Sequence, residues 1–281
     1  IIGLSIKIAT TTGLILAALG MLSITCNIII GKTFTSLSYL LHKATHHTPK
    51  LKIEQTYFTK IRRIGHTTIA VGNGYASAST LISCSALLLA WNTHQPIDLQ
   101  SLNISHILAL LVGICIPHIN AGYLLSGLKN TIITIHNETR RQFKEIPYLE
   151  KGTANPDMIH FSDQTIKTTM DHLIIPGIIT TLSPILACLL FNKNIALAMV
   201  LGSFLSTFSQ GYYWGNVGDV ISHAKNYIQA GHFGGPSSLT FEATRTAEQI
   251  GNSYKDTLGP SMTIFLKTIF MLALIAIHMF K

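Results

Sequence analysis

The chain has 281 residues, of which 48% are hydrophobic and only 11% are charged, and its formal net charge is +8. An ordinary soluble domain holds about 25% charged residues, so this composition argues against a soluble protein. The mean hydropathy of +0.40 points the same way. The composition therefore predicts an integral membrane protein.

Six apolar segments have the length of a bilayer crossing. About 18 or more residues with few charges predict a transmembrane helix. The sequence has such segments at 8–31, 67–91, 104–128, 173–191, 195–218 and 259–280. We predict an all-α, polytopic membrane helix bundle of about six transmembrane helices, with residues 1–281 forming a single integral membrane domain.

The basic residues are concentrated in alternate connections. The connection 32–65 has seven bases and one acid, Glu54, whereas 92–103 has no base. Cytoplasmic loops carry an excess of Lys and Arg. The long polar connections 32–65, 129–172 and 219–258 are therefore predicted to face the cytoplasm or its equivalent, with both termini on the non-cytoplasmic side. Topology and contact with anionic lipid account for the positive charge, so no nucleic-acid partner is expected.

The polar connections are themselves patterned. Residues 32–65 are expected to continue the first helix and to turn at Pro49, and residues 129–146 read as an amphipathic helix that stops before Pro147, which helices seldom cross. Glu138, with Arg140 and Arg141 after it, is interpreted as part of a cytoplasmic helix face. The stretch GHFGGPSS, 231–238, predicts a flexible hinge before the last helix.

The cysteines and histidines give weaker signals. The four cysteines lie in apolar segments without CxxC spacing and are interpreted as small buried hydrophobic residues. Three histidines in the first polar connection have helical spacing that could bind a metal, but a solvated basic loop is the favoured interpretation; they are His42, His46 and His47. His106 and His118 could face one side of the third span as haem ligands, yet hydrogen-bonded interior histidines are favoured. No metal site is predicted.

Several segments, taken in order, resemble one family. They are GMLS at 20–23, GHTTIAVGNGYASAS at 65–79, NETRRQF at 137–143, IIPGIITTLSPIL at 174–186, HAKNYIQAG at 223–231 and YKDTLGPS at 254–261. They resemble the C-terminal part of the membrane-bound, ion-pumping inorganic pyrophosphatases. The resemblance implies that the six helices correspond to the last six of the family's sixteen. It also implies a site near the cytoplasmic helix ends, where aspartates and lysines bind magnesium pyrophosphate.

At the positions of that site, this chain departs from the family pattern. The corresponding residues here are Lys32, Tyr39, His66, Asn73, Ser222, Lys225, Glu248, Asn252, Lys255 and Asp256. Of six matched acidic positions, only Glu248 and Asp256 keep a carboxylate, and Lys32 reverses a charge. Magnesium prefers hard carboxylate oxygens, so we expect a degenerate site with no functional catalytic residue, no metal and no cofactor. Lys267 is a possible remnant of the family's ion gate.

The charged residues that remain at these positions also have simpler interpretations. Lys255 and Asp256 could be solvated groups at the start of the last span, with the lysine extending toward the membrane interface. Lys267 lies inside an apolar run, where a charge is costly and is usually paired or functional. A structural ion-pair partner for Lys267 is as good an explanation as an ion gate.

Three functional hypotheses follow. The first is a catalytically degenerate, structural integral subunit of a larger membrane complex, with other integral membrane subunits as partners. The second is the C-terminal half of a split pyrophosphate-energised proton or sodium pump, which would need Mg²⁺ and a separate N-terminal half. The third is a subunit that binds phosphate, nucleotide or anionic-lipid headgroups through its lysines. All three place the chain in an energy-coupling membrane, either an organellar inner membrane or a bacterial plasma membrane. A pseudoenzyme is expected, with a membrane-bound, Mg²⁺-dependent inorganic pyrophosphatase as the alternative.

Overall fold

The computed structural model describes residues 2–46, 52–94 and 103–279, where it shows six long helices and no strand. The helices are α1 Ile2–His46, α2 Lys52–His94, α3 Ile104–Glu145, α4 Met158–Leu190, α5 Lys193–Gln229 and α6 Leu239–Met279. Each contains a stretch long and apolar enough to cross a membrane. The predicted all-α, six-helix membrane architecture is confirmed, and the orientation of the termini stays a prediction.

Several helices are longer than a membrane crossing requires. Helix α3 has 42 residues, which at 1.5 Å per residue is about 63 Å, while the hydrocarbon core is about 30 Å thick. Its apolar part, 104–128, therefore crosses the membrane and its polar part, 129–145, extends beyond it. Helix α1 continues through 32–46 as predicted, but the turn at Pro49 and the side chains of His42, His46 and His47 lie outside the described residues.

The chain divides into two compact units. The first contains Ile1–Ile97 and Gly211–Asn252, and the second contains Asp98–Gln210 and Ser253–Lys281. Helices α5 and α6 each contribute residues to both units. The prediction of a single integral membrane domain stays a prediction.

In the first unit, α1 packs against α2 along a seam that is partly polar. The Tyr75 hydroxyl donates to the Met21 carbonyl oxygen at 2.6 Å and hydrogen bonds with Thr25 Oγ1 at 2.8 Å. Leu14 is fully buried. In hydrocarbon, polar groups need internal partners, and these contacts supply them.

In the second unit, α3 approaches α5 very closely. A methyl group at Gly113 would lie 2.0 Å from the Met199 carbonyl oxygen, and one at Gly202 would lie 2.1 Å from that of Leu110. Glycine permits this backbone-to-backbone contact. Pro117 has no N–H, so it leaves the Gly113 carbonyl without its helical donor, and the Ser203 hydroxyl donates to that carbonyl at 2.9 Å.

The second half of α6 forms the most buried part of the second unit. Its inward face is almost completely inaccessible to solvent and consists of Leu258, Met262, Phe265, Leu266, Ile269, Phe270 and Ala273. The Phe270 ring meets the Phe204 ring of α5 edge-on at 5.7 Å. This apolar packing fixes the position of the last helix within its unit.

The connection between α5 and α6 is a tight, irregular segment, His232–Ser237. Gly231, Gly234 and Gly235 have φ angles of 107°, 94° and 71°, which glycine adopts readily. Phe233 also has a positive φ of 50°. This segment coincides with the flexible hinge predicted from GHFGGPSS, and its flexibility stays a prediction.

Candidate functional site

A largely buried ion pair joins α5 to α6 in the first unit. Lys225 Nζ donates to Glu248 Oε2 at 2.6 Å, and the two side chains are only 11% and 12% exposed. A charge removed from water needs an opposite charge to compensate for lost hydration. The resemblance implied a site role for both residues, and the structure brings these two together.

Glycine contacts between the same helices explain how the pair forms. A methyl group at Gly218 would lie 2.8 Å from the Gly251 carbonyl oxygen, so the two backbones nearly touch there. Lys225 lies about two turns after Gly218 and Glu248 about one turn before Gly251. Because the helices run in opposite directions, both side chains lie on the same side of the crossing.

Two further predicted site residues lie beside this pair. Ser222 is one turn before Lys225 on α5 and is only 4% exposed. Asn252 is one turn after Glu248 on α6, and a methyl group at Gly218 would lie 2.8 Å from its Oδ1. That buried oxygen accepts no hydrogen bond within the described part of the chain. We call these four residues the Lys225 cluster: Ser222, Lys225, Glu248 and Asn252. The cluster is a compact polar group inside a membrane protein.

The remaining predicted site residues are either described by their backbone alone or belong to the second unit. Lys32 and Tyr39 have their backbone in α1, and His66 and Asn73 have theirs in α2, but these four side chains are not among those described. Lys255 is half-buried and Asp256 is exposed, and both belong to the second unit.

The predicted gate residue, Lys267, is half-buried in α6 and belongs to the second unit. It lies between residues of the buried face of that helix, Leu266 and Ile269. Within the described ranges no ion pair involves it. Its role in ion movement stays a prediction.

The described residues do not fit a magnesium cluster. Magnesium in phosphate sites is held by carboxylates together with substrate oxygens, whereas Glu248 already binds an ammonium group. Among the residues that the structure describes, no three His, Cys, Asp or Glu side chains are close enough to share a metal ion. A magnesium site would need carboxylates beyond these.

A second polar cluster was not predicted as a site. Glu138 of α3 is only 4% exposed, and its interpretation as part of a cytoplasmic helix face stays a prediction. Arg141 Nη2 and Nε donate to its two carboxylate oxygens at 2.7 and 2.9 Å, and Gln142 Nε2 donates at 2.8 Å. The spacing of Glu138, Arg141 and Gln142, three and four residues apart, is the sequence signal that could have revealed this cluster.

We call Glu138, Arg141 and Gln142 the Glu138 cluster. It is hydrogen-bonded to the connection between α3 and α4. Gln142 Nε2 also donates to the Asp157 carbonyl, and the Asp157 amide donates to Gln142 Oε1. His160 Nε2 lies 3.8 Å from Glu138 Oε2. The Arg141 guanidinium lowers the pKa of Glu138 to about 2, so the carboxylate is ionised at neutral pH.

The two histidines weighed as haem ligands both make hydrogen bonds. The Asn103 amide donates to His106 Nδ1 at 3.1 Å at the start of α3. His118 Nδ1 lies 2.9 Å from the Ile114 carbonyl oxygen and 3.2 Å from Ser206 Oγ. Both histidines are hydrogen-bonded, as the favoured interpretation expects, but His118 is exposed and His106 half-buried, so their description as interior residues was wrong.

Comparison with known proteins places the chain among membrane pyrophosphatases. The family described as "Inorganic H+ pyrophosphatase" matches residues 1–276. A "K(+)-insensitive pyrophosphate-energized proton pump" of Caldanaerobacter subterraneus subsp. tengcongensis is 26% identical over 96% of this chain and 39% of its own length. A protein of the same description from Methanosarcina mazei is 27% identical over 75% of this chain and 32% of its own.

A related sodium pump gives the same result. The "K(+)-stimulated pyrophosphate-energized sodium pump" of Thermotoga maritima is 28% identical over 78% of this chain and 32% of its own length. The chain thus spans well under half of the curated relatives that it matches. With its six membrane-length helices and a family match over 276 residues, the chain is an integral membrane protein that belongs to the inorganic H+ pyrophosphatase family.

Proposed function

We propose that the chain is the C-terminal portion of a pyrophosphate-energised ion pump and that it acts only together with helices corresponding to the rest of its relatives' length. The observation that carries this proposal is the family match from residue 1 to 276, together with a charged cluster buried between two membrane helices. Lys225 and Glu248 form a close ion pair, and the resemblance implies a site residue at each of these two positions.

In this proposal, the described residues provide charge and position rather than a complete catalytic centre. Glu248 holds the Lys225 ammonium in place, and that ammonium is the group that would face phosphate oxygens. The carboxylates that a magnesium pyrophosphate site requires would come from the remaining helices of the pump. Hydrolysis by residues 1–281 alone is therefore not expected.

A transport assay tests the proposal. Sealed vesicles that contain the whole pump should acidify or accumulate sodium when pyrophosphate and Mg²⁺ are added, and Lys225→Met should lower both hydrolysis and transport. Lys193→Met is the matched control, because Lys193 begins α5 far along the helix from the cluster. Vesicles that hold the whole pump and show no pyrophosphate-dependent transport would contradict the proposal.

A second candidate is favoured by the chemistry of the Lys225 cluster. Glu248 is bonded to an ammonium group, and Asn252 offers an amide where the family pattern has an acid. Both features suit a catalytically degenerate protein kept as a structural subunit of a membrane complex. Under this alternative, Lys225→Met would destabilise the complex, and the unaltered protein would not hydrolyse pyrophosphate.

A further inference from the structure

Helices α3 and α4 enclose a small group of polar atoms inside their apolar segments. Asn120 of α3 is only 2% exposed, and it lies well within the apolar part of the helix, which continues to residue 128. Its Nδ2 donates to Thr180 Oγ1 of α4 at 3.5 Å. The two helices therefore meet through polar side chains at a depth where lipid offers no hydrogen-bond partner.

The Thr180 hydroxyl sets the direction of the Asn120 amide. That hydroxyl already donates to the Pro176 carbonyl oxygen at 2.7 Å, so it can only accept from Asn120. The amide nitrogen must therefore face Thr180, and the amide oxygen must face away from it. This oxygen, Asn120 Oδ1, is buried and accepts no hydrogen bond within residues 103–279.

A second unsatisfied atom lies one turn further along α4. Ser183 Oγ is buried and has no hydrogen-bond partner in the described part of the chain. Because α4 runs antiparallel to α3, Ser183 lies alongside the turn of α3 that precedes Asn120. A buried amide or hydroxyl without a partner is strongly unfavourable, so both atoms need one.

Pro184 adds a third unsatisfied atom. Proline has no N–H, so in a helix it leaves the carbonyl oxygen four residues earlier without its helical donor, and here that oxygen belongs to Thr180. The oxygen points along the helix toward Pro184, which is fully buried. The Thr180 carbonyl therefore faces protein rather than lipid.

A carbonyl that proline frees on α3 is satisfied directly. Pro117 leaves the Gly113 carbonyl without its helical donor, and the Ser203 hydroxyl of α5 donates to that carbonyl at 2.9 Å. Among the described residues, no side chain plays this part for the Thr180 carbonyl. The freed carbonyl on α4 needs a donor of another kind.

The chemistry of the three atoms defines the ligand that fits them. Asn120 Oδ1 and the Thr180 carbonyl oxygen can only accept, whereas Ser183 Oγ can donate. A water molecule complements this set, because it can donate two hydrogen bonds and accept one. Buried waters typically make about three hydrogen bonds to groups that the protein leaves unsatisfied.

We infer that α3 and α4 together bind one water molecule inside the membrane, which donates to Asn120 Oδ1 and to the Thr180 carbonyl oxygen and accepts from the Ser183 hydroxyl. The water links the two helices where Pro184 interrupts the hydrogen bonding of α4. This inference concerns the second unit alone and does not rest on the proposed function.

A density map of the whole purified protein tests the inference directly, at a resolution that shows ordered water elsewhere in the molecule. The map should contain one peak about 2.7–3.2 Å from each of the three atoms. A direct hydrogen bond between Ser183 and Asn120, or an empty space between them, would overturn the inference. A peak that is present in sodium buffer and absent in potassium buffer would mark a sodium ion and would also overturn it.

Paired substitutions give an independent readout. Asn120→Leu and Ser183→Ala each remove one partner of the water, and each should lower the unfolding temperature in detergent. Because both act on the same water, the double variant should lose less than the sum of the two losses. Losses that simply add would count against a shared water.

Thr181→Val is the matched control for Ser183→Ala. Thr181 is exposed, and its hydroxyl donates within α4 to the Gly177 carbonyl oxygen at 2.8 Å. Its loss should therefore add to that of Asn120→Leu. Neither measurement involves pyrophosphate, so failure of the pump assignment would leave the water site standing, and failure of the water site would leave the pump assignment standing.

Discussion

Two carboxylates, the buried Glu138 and the largely buried Glu248, are neutralised in different ways. Glu138 is surrounded by groups from its own helix, because Arg141 and Gln142 follow it by three and four residues. Glu248 depends on Lys225, which lies 23 residues away on another helix. The first arrangement forms from local sequence, whereas the second forms only when α5 and α6 pack. Removing the partner of Glu138 should therefore affect only the structure around it. Removing the partner of Glu248 should weaken the packing of α5 against α6.

The largest expected effect is that of Lys225→Met. It leaves the Glu248 carboxylate, which is 12% exposed, without a counter-charge. Such a loss costs about 3–5 kcal/mol in a fully buried pair, and the remaining exposure reduces that cost here. Thermal unfolding in detergent should show a marked loss of stability. The double variant Lys225→Met with Glu248→Leu should recover most of that loss, since no charge is then left buried. A double variant as unstable as the single one would show that the pair is not the cause.

The second prediction concerns the crossing that brings the pair together. Gly218→Ala places a methyl group 2.8 Å from the Gly251 carbonyl oxygen, so the two helices must move apart, at a cost of about 1–3 kcal/mol. Gly215→Ala on the same helix meets no atom within 4 Å and should stabilise α5 by up to about 1 kcal/mol. If both variants unfold at the same temperature, the close crossing is not required.

A smaller effect is expected at the Glu138 cluster. Arg141→Met removes the bidentate contact, but Gln142 still donates to the carboxylate, so the loss should be smaller than that of Lys225→Met. Arg140→Met is the control, because Arg140 is the neighbouring residue in the chain and its side chain is exposed. Limited proteolysis measures how fast the connection between α3 and α4 is cleaved in each variant. Equal cleavage rates in the two variants would show that Arg141 does not stabilise this connection.

The smallest effect should appear as a dependence on pH. The pKa of Glu138 is lowered from 4.5 to about 2, so the folded state favours the ionised carboxylate. The stabilisation is fully present above pH 4.5 and declines as the pH falls toward 2. Hydrogen exchange at the Asp157 amide, corrected for its intrinsic rate, should accelerate over that interval. In Glu138→Gln the acceleration should be absent, and its persistence would assign it to another group.

The sequence predicted much of the fold because membrane helices have strong local signals. Apolar length located all six helices, and Pro147 marked the end of α3. The hydrogen bonds of Glu138 are local, but its burial was not anticipated, since the segment after α3 returns to this part of the helix, where Gln142 donates to the Asp157 carbonyl oxygen 15 residues away. Charge patterns on one helix do not reveal which side another segment will cover.

The candidate site was only partly predictable for a related reason. The resemblance singled out Lys225 and Glu248 separately, but no periodicity links residues 23 positions apart. Their contact depends on the Gly218–Gly251 crossing, which is a property of two packed backbones. Lys255, on the same helix as Glu248, belongs to the other unit, a division that the sequence around 246–260 does not indicate.

The most direct test of the pump assignment is purification of the native assembly in mild detergent, with every chain identified by mass spectrometry and Mg²⁺-dependent pyrophosphate hydrolysis measured on the same sample. The account predicts that the remaining helices of the pump, on this polypeptide or on a stoichiometric partner, are present and that the sample hydrolyses pyrophosphate. A stable assembly that lacks such helices and does not hydrolyse pyrophosphate would contradict it and would favour a structural subunit.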